Sequence, residues 1–162
     1  RLKTEKSLVF SLWSLVQHTA INMKNKKSSY EDLQNNIRGL KTPAIEVWEN
    51  KYPDRDYTVH LSVPECTCIC PKTGLPDFVA LNVTYGPDKT CVELKSFKMY
   101  IIAFRDVGIF HEHLVNKIQD DFVAACRPRW AKVEGVVSPR GGIATTVVAE
   151  YKRSKRQGRD YG

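Results

Sequence analysis

At 162 residues the chain is the size of one domain with its own core, which argues against two independent domains. Its apolar fraction of 42% is that of a globular protein and excludes a low-complexity or wholly disordered chain. The formal charge of +7 sits at the ends: residues 1–40 and 152–162 carry +4 each and the span between them −1, so the body lacks the basic surface of a nucleic-acid binder.

In chain order, Arg1, Lys3 and Lys6 precede an apolar run at 8–16. The run has the charge and length of a signal-peptide start, but no small-residue cleavage site follows, and it is too short to span a bilayer. It reads as an export signal, a core helix, or an extension upstream of a start at Met23. Export conflicts with cytosolic thiol chemistry, which favours the other two. After a polar segment at 24–41, residues 44–50 suit a short strand carrying Ile45, Val47 and Trp48. Residues 57–63 alternate, with Tyr57, Val59, Leu61 and Val63 on one face, as a half-buried strand does. The cysteine-rich stretch CTCICPKTGLPD at 66–77 is expected to interrupt that strand, which resumes at 78–85 and closes in a turn at Gly86, Pro87 and Asp88.

Phe97, Tyr100, Ile101 and Phe104 recur at helical spacing, stopped at 106–108, and a second helix at 110–126 carries Leu114, Ile118, Phe122 and Ala125 as its apolar stripe. Strands at 130–137 and 143–151 flank the turn SPRGG. Two strands, two helices and two strands predict an α+β domain with both helices on one face of an antiparallel sheet. The other sheet face then needs solvent or another subunit.

Five cysteines, three of them within five residues, fit a disulfide framework poorly, and reduced thiols in a cytoplasmic protein are the simpler reading. Cys66, Cys68 and Cys70 alternate, so three thiolates with His111 or His113 would make a zinc site. The spacing departs from structural zinc motifs, and no metal is expected. Cys66 and Cys68 read as small core residues. Cys70 differs: it leaves the strand just before Pro71, near Lys72, and Asp77 returns on the far side of the turn, which pairs a nucleophile with a proton donor. His111 and Glu112 open the second helix, where Glu112 either complements the helix dipole or accepts two N–H donors from a guanine-like edge. Glu93 stands where strand gives way to helix. Lys95 and Lys98, three apart, form either a solvated helix face or a phosphate cradle with Ser96 and the helix N-terminus. Arg140 and Gly141 in SPRGG also suit phosphate. No GxGxxG occurs, so a Rossmann site is not supported.

CPKTGLPD at 70–77, ELKSFKMY at 93–100, FHEH at 110–113 and SPRGG at 138–142 resemble, in order and spacing, the 7-cyano-7-deazaguanine reductases of queuosine biosynthesis, in their short single-module form. The resemblance covers about 57–151. It implies the tunnelling fold, small antiparallel sheets assembling into an oligomeric barrel with active sites between subunits. It also implies reduction of a nitrile to an amine with NADPH through a cysteine thioimide. By motif, Cys70 matches the nucleophile and Asp77 the proton donor and acceptor. Val92, Glu93, Leu94, His111 and Glu112 match substrate-lining positions, and Lys95, Lys98, Arg140 and Gly141 match positions associated with NADPH. The implied partners are the small-molecule substrate and further copies of the chain, with no membrane and no direct nucleic-acid contact. Residues 1–41 are then an extension, 42–151 the reductase domain and 152–162 a basic tail. Met99 stands where the family more often has Leu, and Cys66 and Cys68 where Phe and Ser are expected. ELKSFKMY separates this reading from an amidine-forming relative, which needs no NADPH cradle. More distant alternatives are a cyclohydrolase-type enzyme on the same fold and a nonenzymatic purine-binding or RNA-binding module.

Overall fold

The computed structural model describes residues 32–35 and 37–153. The apolar run at 8–16 and the tail beyond residue 153 lie outside them. The chain divides between Leu33 and Gln34, and every element below belongs to the unit that begins at Gln34.

The elements in order are β1 (Val47–Glu49), β2 (Val59–Ile69), β3 (Pro76–Gly86), β4 (Thr90–Val92), α1 (Leu94–Ile102), α2 (His111–Cys126), β5 (Trp130–Arg140) and β6 (Ile143–Lys152), with short 3-10 turns at Ile37–Gly39 and Ala103–Asp106. Four strands form an antiparallel sheet in the order β2-β3-β5-β6, and β1 pairs antiparallel with β4 in a separate two-stranded sheet. The expected strand–strand–helix–helix–strand–strand order therefore holds for the main sheet. The expected strand before Glu93 is β4, whose bounds the sequence pattern did not give because a three-residue strand carries no usable period.

Alternation on β3 builds the core. Val79, Leu81, Val83 and Tyr85 face inward and are buried, joined by Ala131, Val133 and Val137 of β5. Helix α1 contributes Phe97, Tyr100 and Ile101, the turn after it contributes Phe104, and α2 contributes Leu114, Val115, Ile118 and Phe122. Phe122 packs edge-on against Tyr85, with ring centroids 4.9 Å apart, and against Phe97 at 5.8 Å, locking the two helices to one end of β3. Ala125 is only half-buried, and Cys126 takes its expected place in the core. Helix α2 lies close on β5 at Gly135, where an added Cβ would meet Val115 Cγ2 at 2.7 Å.

One expectation is overturned. The cysteine stretch does not interrupt β2: the strand runs through Cys66 and Cys68 to Ile69, and the irregularity falls earlier, between Val63 and Cys66. Val63 pairs with Leu81 and Cys66 with Val79, so three steps on β2 match two on β3, a β-bulge at Pro64–Glu65. Proline cannot donate to a ladder and is accommodated where pairing is already broken. On the sheet face away from the helices, Phe78, Val136 and Val148 are exposed apolar side chains.

Candidate active site

The bulge in β2 decides which cysteines face the core. Side chains alternate along a strand, so Val59, Leu61 and Val63 would be followed inward by residues 65, 67 and 69. One extra residue reverses the phase and turns Cys66 and Cys68 inward instead. Both are buried, and burial, the leading cause in each, pushes both thiols up to about 12. These are inert core thiols.

Cys70 follows the last residue of β2 and is half-exposed. Its amide donates to Leu75 O at 2.8 Å and its carbonyl accepts from Gly74 N at 2.9 Å, closing a tight turn that Gly74 completes at φ 70°. The thiol is held below its ordinary value. The Thr73 hydroxyl, hydrogen-bonded to the sulfur, is the main cause, and partial burial opposes it. The backbone N–H groups of Thr73 and Lys72 add to the lowering, while the nearby charge of Asp77 works against it. Thr73 is the functional residue that sequence reasoning missed; the usable signal was a hydroxyl residue three positions after a cysteine across a Pro-initiated turn. The expected help from Lys72 comes at least in part through its amide.

Asp77 occupies an inward position of β3, directly paired with Cys68, and is 4% exposed. A carboxylate there is costly unless it is partnered. Arg140 Nη2 lies 3.1 Å from Oδ1, and His111 Nε2 lies 3.0 Å from Oδ2. The imidazole contact lacks the alignment of a hydrogen bond, so His111 Nε2 is buried against Asp77 without a directed partner. Glu112, beside it in the first turn of α2, is exposed, and among the described residues no side chain or amide engages its carboxylate. His113 instead contacts Gln34 Oε1 at 3.0 Å. Among the described residues no cluster of His, Cys, Asp and Glu is arranged to hold a metal.

Val92 lies toward the other end of β3. Tyr85 OH accepts from Val92 N at 3.2 Å, and Tyr85 stands eight residues after Asp77 on β3, roughly 26 Å at the usual strand rise. Val92 is buried and Leu94 is 60% exposed. Glu93 is the N-cap of α1: one carboxylate oxygen accepts from Lys95 N at 2.8 Å and the other from Ser96 N at 2.6 Å. These amide bonds hold its carboxyl below the usual value, Ser96 N first. The helix N-terminus is thus already occupied by Glu93. Ser96 is committed as well, donating to Glu93 O at 2.9 Å and accepting from Glu46 N at 3.0 Å. Of the two alternatives for this stretch, a solvated helix face or a phosphate cradle, the cradle would have to form with the Ser96 hydroxyl and the first helix amides already engaged within the chain. What remains for an anion is the exposed pair Lys95 and Lys98. Lys98 borders a groove of about 560 Å³ floored by Leu61, Val63, Phe97 and Ile101. Gly141, in the β5–β6 turn at φ 57°, adjoins Arg140 at the Asp77 end.

Comparison with known proteins agrees with this architecture. Residues 76–156 match the family model described as QueF-like protein. The NADPH-dependent 7-cyano-7-deazaguanine reductase of Chlorobaculum tepidum is 54% identical over 111 residues, 68% of this chain and 95% of the relative. That of Halorhodospira halophila is 55% identical over 108 residues, 67% of this chain and 92% of the relative. The crystal structure of the archaeosine synthase QueF-Like in the apo form superposes with a TM-score of 0.56 at 26% identity, covering 60% of this chain and 96% of that one. Fold and site together define an oxidoreductase of the tunnelling-fold class. The chain belongs to the family of NADPH-dependent 7-cyano-7-deazaguanine reductases.

Proposed function

We propose that this protein reduces the nitrile of 7-cyano-7-deazaguanine to the primary amine of 7-aminomethyl-7-deazaguanine, in queuosine biosynthesis, through a thioimide on Cys70. The observation that carries the reading is the thiol held below its ordinary value beside a buried carboxylate. A nitrile carbon is a weak electrophile that a soft thiolate attacks well. Cys70 Sγ bonds to that carbon, one C–N π bond opens onto nitrogen, and Asp77, having taken the thiol proton, delivers it to the nitrogen. His111 stands beside the transferring oxygen, and the unengaged carboxylate of Glu112 is suited to two N–H donors of the deazaguanine edge.

Lys95 and Lys98 fit a phosphate-bearing cofactor, with cations at the rim of a groove whose floor is apolar. NADPH, when bound, supplies hydride to the substrate carbon, and two equivalents account for the four electrons between nitrile and amine. Gly141, whose positive φ leaves the turn free of side-chain bulk, is a further cofactor candidate. Val92, Glu93 and Leu94 stand roughly a β3 length from Cys70 and cannot line the same site within one chain. They are supplied by a second copy, whose packing also covers the exposed sheet face, so the working unit is a homo-oligomer with shared sites. Five unpaired cysteines suit a reducing compartment, and we place the enzyme in the cytoplasm. Residues 42–151 are the reductase domain in this reading, flanked by the extension 1–41 and the tail 152–162.

The test is consumption of NADPH on addition of 7-cyano-7-deazaguanine, with a covalent adduct at Cys70 seen by mass spectrometry and lost in Cys70→Ala. No substrate-dependent fall in nicotinamide absorbance, or an adduct that survives in Cys70→Ala, would refute the reading. The similarity to an archaeosine synthase makes amidine formation the competing reaction. That reaction forms the adduct without consuming NADPH, so the same assay separates the two.

A further inference from the structure

Helix α2 opens without a cap of its own. Its N-cap is Phe110, an extended residue whose side chain has no oxygen to offer the first helix amides. Three positions on, where a Glu or Gln would reach back to the N-cap amide, the chain has His113. Gln34, far earlier in the chain, supplies what this segment lacks. Its Oε1 accepts from Phe110 N at 3.2 Å and contacts His113 Nδ1 at 3.0 Å, while its Nε2 donates to Gly108 O at 3.2 Å. One carboxamide thus ties the stretch before the helix to the helix's first turn. Gln34 is anchored in turn: its carbonyl accepts from Ile37 N at 3.3 Å, and Ile37 and Leu40 pack against the core.

The stretch it grips runs beside the reactive cysteine. Ile69, the residue before Cys70, donates to Val107 O at 2.9 Å and accepts from Ile109 N at 3.0 Å. His111 and Glu112 follow directly, the first 3.0 Å from Asp77 Oδ2. We propose that Gln34 is a positioning residue for the substrate site, a cap supplied from outside the helix that fixes the first turn of α2 and with it Glu112 and His111. This rests on the function proposed above. A carboxylate takes two N–H donors of a planar base only when both oxygens are aligned with them, so a frayed first turn weakens substrate binding. Lys95 and Lys98 stand on α1, so their hold on a cofactor does not depend on this turn.

The test compares Gln34→Ala and Gln34→Glu in the full chain. Affinity for 7-cyano-7-deazaguanine is read by calorimetry in a Cys70→Ala background, where no adduct forms, and KM for NADPH is read with Cys70 intact. The expected result for Gln34→Ala is a Kd about 5- to 10-fold higher, the effect of losing a cap. KM for NADPH should stay within about twofold of the parent, a split that a general loss of structure would not produce. Amide hydrogen exchange should quicken at 110–114 and not in β3 or β5. Gln34→Glu keeps the acceptor for Phe110 N but not the donor to Gly108 O, and its Kd should fall between the two. Thermal melts verify folding, and if Gln34→Ala does not fold, Gln34→Glu decides alone by the same split. Parental substrate affinity in a folded Gln34→Ala, or equal losses for substrate and NADPH, would overturn the inference. A parent protein that neither binds the cyano substrate nor consumes NADPH with it would defeat the proposed function itself, and this inference with it.

Discussion

Two groups of site residues separated by the length of β3 predict that inactive variants rescue one another. Cys70→Ala removes the nucleophile, and Lys95→Ala/Lys98→Ala removes the cations on α1, just after Val92–Leu94. From Asp77 to Tyr85, whose hydroxyl holds Val92 N, eight residues of strand span roughly 26 Å, too far for one bicyclic base to bridge. If each site draws one group from each of two neighbouring subunits, a statistical one-to-one mixture gives each group an even chance of being intact. About a quarter of the sites are then fully native. The assay is substrate-dependent NADPH oxidation after co-expression with two distinguishable tags and tandem purification, or after co-refolding, against each variant alone. Activity near a quarter of the parental value per subunit is expected. Background activity in a verified mixed assembly would refute the shared-site reasoning, since sites confined to one chain yield no intact site in any mixture.

Thr73→Val keeps the shape of the side chain and removes the donor that contributes most to lowering the Cys70 thiol. The thiol's pKa should therefore rise, and the pH profile of iodoacetamide alkylation at Cys70 should move to higher pH; Thr73→Ser should restore it. An unmoved profile would show that the turn's amides suffice. Gly135→Ala would place a Cβ 2.7 Å from Val115 Cγ2 and 3.2 Å from Val79 Cγ1, forcing α2 away from β5. A cost of about 1–3 kcal/mol is expected, read as a lower urea midpoint at unchanged slope, and an unchanged midpoint would mean the helix shifts freely. Because His111 opens α2, the same variant should also slow adduct formation at Cys70.

Periodicity made the main sheet and both helices legible. The inward residues of β3 and the apolar faces of α1 and α2 repeat at periods that only their own element satisfies. Four motifs in fixed order made the chemistry legible before any geometry, and Cys70 was separable from Cys66 and Cys68 by its place before Pro71. The phase of the cysteines was another matter. A bulge adds one residue to a ladder, and whether position 64 or 70 ends the regular strand depends on the partner across it, so the sequence pattern suggested an interruption where β2 continues. The role of Ser96 and the helix amides was likewise undecidable from spacing. Glu93 suits both a ligand pocket and an N-cap, and its bonds to Lys95 N and Ser96 N appear only in the folded chain.

What the sequence determined by itself, then, is the inventory: a nucleophile, a carboxylate seven residues on, a helix opened by His111 and Glu112, and a pair of lysines three apart. Tertiary structure decided the grouping. It gathered Cys70, Asp77, His111 and Arg140 at one end of β3 and put Val92 against Tyr85 toward the other. Side-chain phase and strand length are properties of paired strands, and a period read along one strand carries no record of the residue inserted against its neighbour.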